Sequence, residues 1–452
     1  MNQESRIITP DQLNRRSFLR RTGGLLGGAA IATALDPSQF AHGAATSEEL
    51  KIALIGCGGR GSGAANQALS TFGQGPVKLV AMADAFDDRL KGSLNNLKNQ
   101  HKDRVDVKPE NQFIGFDAYK KAIAAADVVI LATPPGFRPM QFEEAIKQGK
   151  HVFMEKPVAT DMPGVRTVLA AAAEAKKKGL KVGVGLQRHH QKGYIETMKR
   201  LQDGAIGDIT SMRAYWNGAT PWLKKRADLE KAAGRKLTEM EYQMRNWYYF
   251  TWICGDHICE QHIHNLDVIN WLKKGAPVKA NGMGGCEVRK GQDYGEIFDH
   301  HAVEFEYEDG SRCFSQCRHI VGCWNSVSEH AVGTKGKSDI SRHTINPFGD
   351  GEGWRHKNEG DKDPYQQEHD DLFDAIRNNK DYNEAEYGAM SSATAILGRM
   401  ATYSGREVEM AKALKEAPSI FPPTLAWDAD MPVKPGADGM YPRAIPGTWK
   451  PY

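Results

Sequence analysis

The chain of 452 residues is 40% hydrophobic and 25% charged, an ordinary globular composition with room for two domains and extensions. Its formal net charge of +3 is close to neutral for this length, so no nucleic-acid partner is implied. Seven cysteines, an odd number without paired spacing, read as buried thiols rather than a disulfide framework.

Part of the positive excess lies at the amino terminus. There Arg15, Arg16, Phe18, Leu19, Arg20 and Arg21 precede a Gly- and Ala-rich apolar run over 22–35 and small residues at 41–45. Paired arginines before a weakly hydrophobic segment look like a twin-arginine export signal; a basic disordered tail is the competing reading. The run is too short and glycine-rich to span a bilayer stably. Residues 1–45 are therefore set apart from the fold, with twin-arginine export machinery as a partner and a periplasmic or other exported location expected.

An apolar run at 52–55 ends in Gly56, Gly58 and Gly61 at G-x-G-x-x-G spacing, and a small-residue segment over 62–69 predicts a helix. Gly56 permits a tight turn, Gly58 lets the main chain approach a pyrophosphate, and Gly61 lets the helix sit close to the strand with its amides toward the phosphates. Arg60 lies within this turn and joins the predicted cofactor site. The next apolar run, 77–83, stops at Asp84, 23 positions after Gly61, where a carboxylate would bind a ribose 2′-hydroxyl and repel a 2′-phosphate. NAD is favoured over NADP on that ground. The plainer reading of Asp84 is an N-cap for a helix over 87–97.

A polar stretch over 90–108 reads as helix and loop, and Asp117 caps another helix. The continuous apolar run 127–132 suits a parallel strand covered on both faces, and it ends in Thr133 and Pro134, where open α/β sheets bind ligands. A helix over 139–149, a strand over 151–155, a helix over 164–178 and a strand over 181–186 complete the alternation. This predicts an α/β fold: an NAD-binding doubly wound parallel sheet over 50–186. The strand over 151–155 ends in Glu155, Lys156 and Pro157, and the proline keeps Lys156 extended at the strand's mouth. A lysine there, shielded from water beside a positive nicotinamide ring, suits proton transfer. A surface lysine paired with Glu155 is the alternative.

Beyond Gln187 the texture changes. A helix over 194–202 leads to strand-like runs at 209–216, 278–288, 301–307, 312–317 and 326–332, whose alternation fits an antiparallel sheet with one wet face. Helices over 366–378 and 388–405 follow. Residues 187–417 thus read as an α+β domain with a mostly antiparallel open sheet, and 418–452 as an extended strap or a subunit contact.

Within this domain Asp256 caps a predicted helix running from His257 to beyond Trp271. At about 100° per residue His257, Glu260, His264, Asp267 and Trp271 share a wedge of about 80°, opposite Ile258, Ile263, Leu266 and Ile269. Glu260 and His264, at i and i+4, are expected to touch, the carboxylate orienting the imidazole as a general base. A solvated salt-bridged face is one rival. A metal site of His257, Glu260 and His264 is the other, disfavoured because no HExxH pattern is present. His262 falls toward the apolar side as a hydrogen-bonded core histidine.

The glycine turn, Glu155-Lys156-Pro157 and the helix containing His264-Asn265-Leu266-Asp267 together resemble the glucose-fructose oxidoreductase / inositol dehydrogenase / rhizopine catabolism (Gfo/Idh/MocA) family over residues 50–410. The resemblance implies a nicotinamide cofactor, sugar or cyclitol substrates, and subunit contacts through the C-terminal sheet. It places the family's lysine on Lys156 and its histidine on His264, with Glu260 standing where an aspartate is usual. It also draws Arg188, Tyr194 and His257 to the substrate side, with Trp216, Trp222 and Trp247 as stacking surfaces for a sugar ring. The expected reaction is oxidation of a secondary hydroxyl by His264, Glu260 and Lys156 with hydride passing to NAD. The runner-up is redox-neutral glycoside cleavage by transient oxidation, elimination and re-reduction. A non-catalytic secreted sugar-binding protein is a third reading. An exported enzyme without an external dinucleotide supply would carry its NAD tightly bound.

Overall fold

The computed structural model describes residues 48–452; the expected twin-arginine signal lies outside the described residues. The predicted apolar runs become β1 (Leu50–Ile55), β2 (Val77–Asp84), β4 (Val128–Leu131), β5 (His151–Met154) and β6 (Val182–Val184), joined by a short β3 (Gln112–Ile114) that the polar stretch did not announce. All pair in parallel in the order β3-β2-β1-β4-β5-β6. The strand order reverses at β1 and β4, and a ligand crevice forms at such a reversal. Helices α1 (Gly59–Ser70), α2 (Asp87–His101), α3 (Ala118–Ala124), α4 (Arg138–Lys147) and α5 (Met162–Lys177) cover the sheet. Every residue of β4 is buried, which is why its sequence is apolar without alternation.

After α6 (Lys192–Gln202) the second sheet takes nine strands. Its centre is β7 (Ile209–Gly218), β8 (Lys279–Gly285), β9 (His300–Glu306), β10 (Arg312–His319) and β11 (Ser326–Gly333). Toward its edges lie β12 (Gly336–Asp339), β13 (Thr344–Pro347), β14 (Trp354–Arg355) and β15 (Val408–Glu409), in the order β14-β13-β12-β11-β7-β10-β9-β8-β15. Only β7 and β10 run parallel; the other pairs are antiparallel. Cys313 faces the helices between Met212 and Phe305, while its neighbour Phe314 is 47% exposed on the other face. That alternation is the two-residue period of a half-covered sheet.

The helix Pro364–Arg377 was expected within the second domain, yet Leu372, Phe373 and Ile376 share a core with Leu54 and Phe153. It covers the first sheet, so the chain returns to its first domain after the second sheet is built. His190 fastens this return: its ring lies 2.6 Å from Asp371 and 3.1 Å from Glu384. Burial opposes its charge, but hydrogen bonds to the two carboxylates outweigh it and push the imidazole up to about 10. A raised histidine stabilises fully below its unfolded value and loses that contribution as pH climbs through the folded one. His190→Gln should cost about 3 kcal/mol near neutral pH, as expected for breaking a buried pair. In urea titrations the gap between variant and wild type should close from pH 6.5 toward about 10.

The tail is a strap on this chain's own surface. Ile420 N–H donates to Asp161, Phe421 packs edge-on to Phe137, and Trp427 sits over Phe86 and Phe116. All seven cysteines are free; five are buried, Cys286 is half-buried and Cys323 is exposed.

Candidate active site

A cavity of about 680 Å³ opens at the carboxyl ends of β1, β2, β4 and β5 and extends to Trp216 of the second sheet and to the stretch from Glu260 to His264. The expected cofactor residues converge there: Gly56, Gly58, Arg60 and Gly61 from the turn, Asp84 from β2, Thr133 and Pro134 after β4, Glu155 and Lys156 after β5. Glu260 and His264 face it from the other side, with Trp216, Trp222 and Trp247 on the wall.

Two glycines enforce the turn sterically. Gly56 has φ +92°, and a Cβ on Gly61 would lie 1.9 Å from the Gly56 carbonyl oxygen. A Cβ on Gly58 would meet nothing within 4 Å, since it faces open space at the start of α1. No acidic residue occupies the first turn of α1, leaving its amides free to receive an anion. These features fit a dinucleotide pyrophosphate. Gly61→Ala should release the cofactor and cost about 3 kcal/mol through overpacking. Nucleotide absorbance after denaturing the purified protein, together with a melting curve, checks both.

Asp84 ties the strand end to the turn, accepting from the Cys57 amide at 2.7 Å and the Phe86 amide at 2.9 Å. It is not a cap: α2 begins after Phe86 without a side-chain cap bond. Burial raises the Asp84 carboxyl and the two amides oppose that rise. Its remaining lone pairs suit ribose hydroxyls. Sequence reasoning missed Arg138, a fully buried cation that donates to the carbonyls of Leu131, Thr133 and Glu155 at 2.6, 2.6 and 3.0 Å. It locks the ends of β4 and β5 side by side, and its sequence context, the entry to α4, gives no sign of that role. Tyr365, from the returning helix, also lines the cavity unannounced.

The alternative pairing of Lys156 with Glu155 does not form. Glu155 binds Arg60, whose guanidinium also reaches Glu368 at 3.2 Å. The Lys156 ammonium instead donates to Glu260 twice, to its backbone oxygen at 2.5 Å and its carboxylate at 3.2 Å. Burial raises the Glu260 carboxyl, and Lys156 opposes that.

The single long helix is corrected to two pieces, His257–Glu260 and Ile263–Lys273, broken at Gln261. At the break His264 N–H bonds the Gln261 carbonyl at 3.3 Å rather than that of Glu260, which frees the Glu260 carbonyl for Lys156. The expected wedge is lost with it, and among the described residues no Glu260–His264 hydrogen bond forms. His264 Nδ1 is buried without a protein partner, and its ring lies parallel to Trp216 at 6.0 Å between centroids. Burial, then the charges of Lys156, Arg188 and Arg60, hold it well below the ordinary histidine range. It is therefore a neutral imidazole facing the cavity.

Three expected substrate residues do not reach the cavity. Arg188 is paired with the fully buried Glu329, to which Tyr194 donates at 3.0 Å. His257 is wholly buried and bonds Asp256 at 2.8 Å. Asp256, His257 and His301 cluster closely, but that group is separate from Glu260 and His264, so the metal trio weighed from sequence does not assemble. His262 is a core residue bonded to Ser315 at 2.7 Å, as its position foretold.

Residues 50–185 match the model of an oxidoreductase family with an NAD-binding Rossmann fold. The chain is 28% identical over 220 residues to 2,7-anhydro-N-acetylneuraminate hydratase of Escherichia coli, covering 47% of this chain and 51% of the relative. It is 28% identical over 167 residues to inositol 2-dehydrogenase/D-chiro-inositol 3-dehydrogenase of Halalkalibacterium halodurans, covering 36% and 43%. The chain thus spans about half the length of the curated relatives it matches. Scyllo-inositol dehydrogenase of Lactobacillus casei, solved with NAD(H) and scyllo-inositol, shares the fold at TM-score 0.58 and 20% identity, covering 80% of this chain and 100% of that one. Residues 50–185 thus carry the NAD-binding Rossmann domain of the Gfo/Idh/MocA oxidoreductase family.

Proposed function

We propose that the protein oxidises a secondary hydroxyl of a sugar, glycoside or cyclitol, with NAD held in the β1–β5 crevice. The observation that carries this reading is the meeting of an anchored ammonium, Lys156, with a neutral imidazole, His264, over one glycine-rich cavity. When bound, NAD supplies the hydride acceptor. His264 takes the hydroxyl proton, which a neutral ring can do and a charged one cannot. Lys156, fixed by the Glu260 carbonyl and carboxylate, stabilises the developing alkoxide. Trp216, Trp222 and Trp247 offer apolar faces to a ring that carries hydroxyls on its edges.

Cleavage of a glycoside without net redox change is the second reading. One similar protein is named a dehydrogenase and another a hydratase, and a strap from Ile420 to Trp427 packs beside the residues flanking Asp84, as suits a cofactor that is retained. We place the protein in an exported compartment, loaded with NAD before export through its paired arginines. We assign subunit contacts to the uncovered face of the second sheet, where Met283 is 79% and Phe314 47% exposed. The test is incubation of purified protein with aryl glycosides and myo-inositol, with and without added NAD. Stoichiometric NADH from added NAD supports the dehydrogenase. Aglycone release without added NAD or net NADH supports the redox-neutral cycle, and neither product removes both.

A further inference from the structure

Gln261 stands at the break between the two helical pieces, between Glu260 and His264 in sequence, and it lines the cavity. Behind it lie two groups withdrawn from water: Arg289 is 0% and His319 1% exposed. Arg289 Nη2 sits 2.8 Å from His319 Nδ1. A guanidinium only donates, so Nδ1 must supply the lone pair, and the proton of the neutral ring resides on Nε2. Burial, His257 and Arg289 all act to keep that ring neutral. His319 Nε2 lies 2.8 Å from Gln261 Oε1, so the N–H donates to the amide oxygen. A flipped amide would set N–H against N–H. The orientation of Gln261 is therefore dictated from the interior. Its Nε2 has no acceptor among the described residues, yet it is not one of the buried orphaned atoms, so it is open to the cavity.

We propose that Gln261 is a substrate-binding residue presenting a fixed N–H donor to an oxygen beside the reacting carbon, with His319 and Arg289 as positioning residues that set this polarity. The proposal rests on the reading of the cavity as a polyol-oxidising site. It specifies the chemistry of the neighbouring position: a hydroxyl or carbonyl oxygen accepts from Gln261, whereas an ammonium, having only donors, meets a donor. The site accordingly selects neutral polyols against their aminodeoxy counterparts.

The experiment uses the NAD-loaded protein with methyl β-D-glucopyranoside and myo-inositol, and with the monoaminodeoxy analogues of each. Binding is read by tryptophan fluorescence and turnover by reduction of NAD added in excess. Gln261→Glu keeps an oxygen for His319 but turns the cavity-facing donor into an acceptor. It should raise KM for the neutral polyol at least about tenfold with little change in kcat, and shift the preference toward the amino analogue. His319→Phe should raise KM similarly, while His319→Gln, which accepts from Arg289 and donates to Gln261, should restore it. NAD content should stay at one equivalent in every variant. An unchanged polyol-to-amine ratio in Gln261→Glu overturns the assignment, as does equal behaviour of His319→Phe and His319→Gln. If wild type binds a polyol without reducing NAD, the oxidation reading fails while the binding ratios still decide Gln261. If wild type binds no probe, both fall.

Discussion

Lys156→Ala is expected to lower kcat about a thousandfold while leaving NAD bound, through the loss of the positive charge at the developing alkoxide. The ammonium is one of two ends of a buried pair, so its removal also acts on Glu260. That carboxyl is enclosed and already raised by burial against the pull of Lys156. Without the cation nothing opposes that rise, and the carboxyl is pushed further up. KM should change far less than kcat, since the pair faces the reacting carbon rather than the outlying hydroxyls. Steady-state rates with the best polyol from the panel, beside nucleotide absorbance of the denatured protein, measure both. Wild-type turnover with full NAD occupancy would remove Lys156 from the mechanism.

His264→Asn is expected to lower kcat by about a hundredfold to a thousandfold, the usual range for removing a general base. Its pH signature is the sharper test. The ring's proton affinity is depressed below the ordinary 6.5 by burial and then by Lys156, Arg188 and Arg60, so it remains neutral as pH falls through that value. Wild-type kcat/KM should therefore stay flat from pH 8 to below 6.5 and decline only in more acid solution. A limb centred at or above 6.5 would contradict the neutral-base assignment. Linkage carries the same sign for stability: the unfolded chain binds this proton first, so His264 destabilises the fold as pH drops below 6.5 and has no such effect above it. In Lys156→Ala/His264→Asn the losses should fall short of the product of the two single losses, because both act on one alkoxide.

The exclusion of a covalent framework and the parallel sheet were legible because they depend on composition and on contiguous apolar runs. The glycine turn was legible for a related reason. Gly56, Gly58 and Gly61 act within six residues: Gly56 takes a positive φ, a Cβ on Gly61 would collide with the Gly56 carbonyl of the same turn, and Gly58 leaves its side open. Lys156 at a strand's mouth followed from Pro157 and the end of β5, again local facts.

The reaction face was decided elsewhere. Periodicity places side chains on an unbroken helix, and Gln261 breaks it, held by an imidazole 58 residues away while Lys156 takes the freed carbonyl of Glu260 from 104 residues away. Arg188 and Tyr194 looked available until Glu329, 141 and 135 residues on, claimed both; His257 was claimed by Asp256 beside it within a core closed by His301. Sequence by itself determined where the dinucleotide crevice lies, because short-range sterics and hydrophobic period set it. Tertiary structure alone decided which polar groups face that crevice, because a buried donor or acceptor must find a partner, and the partners come from distant strands.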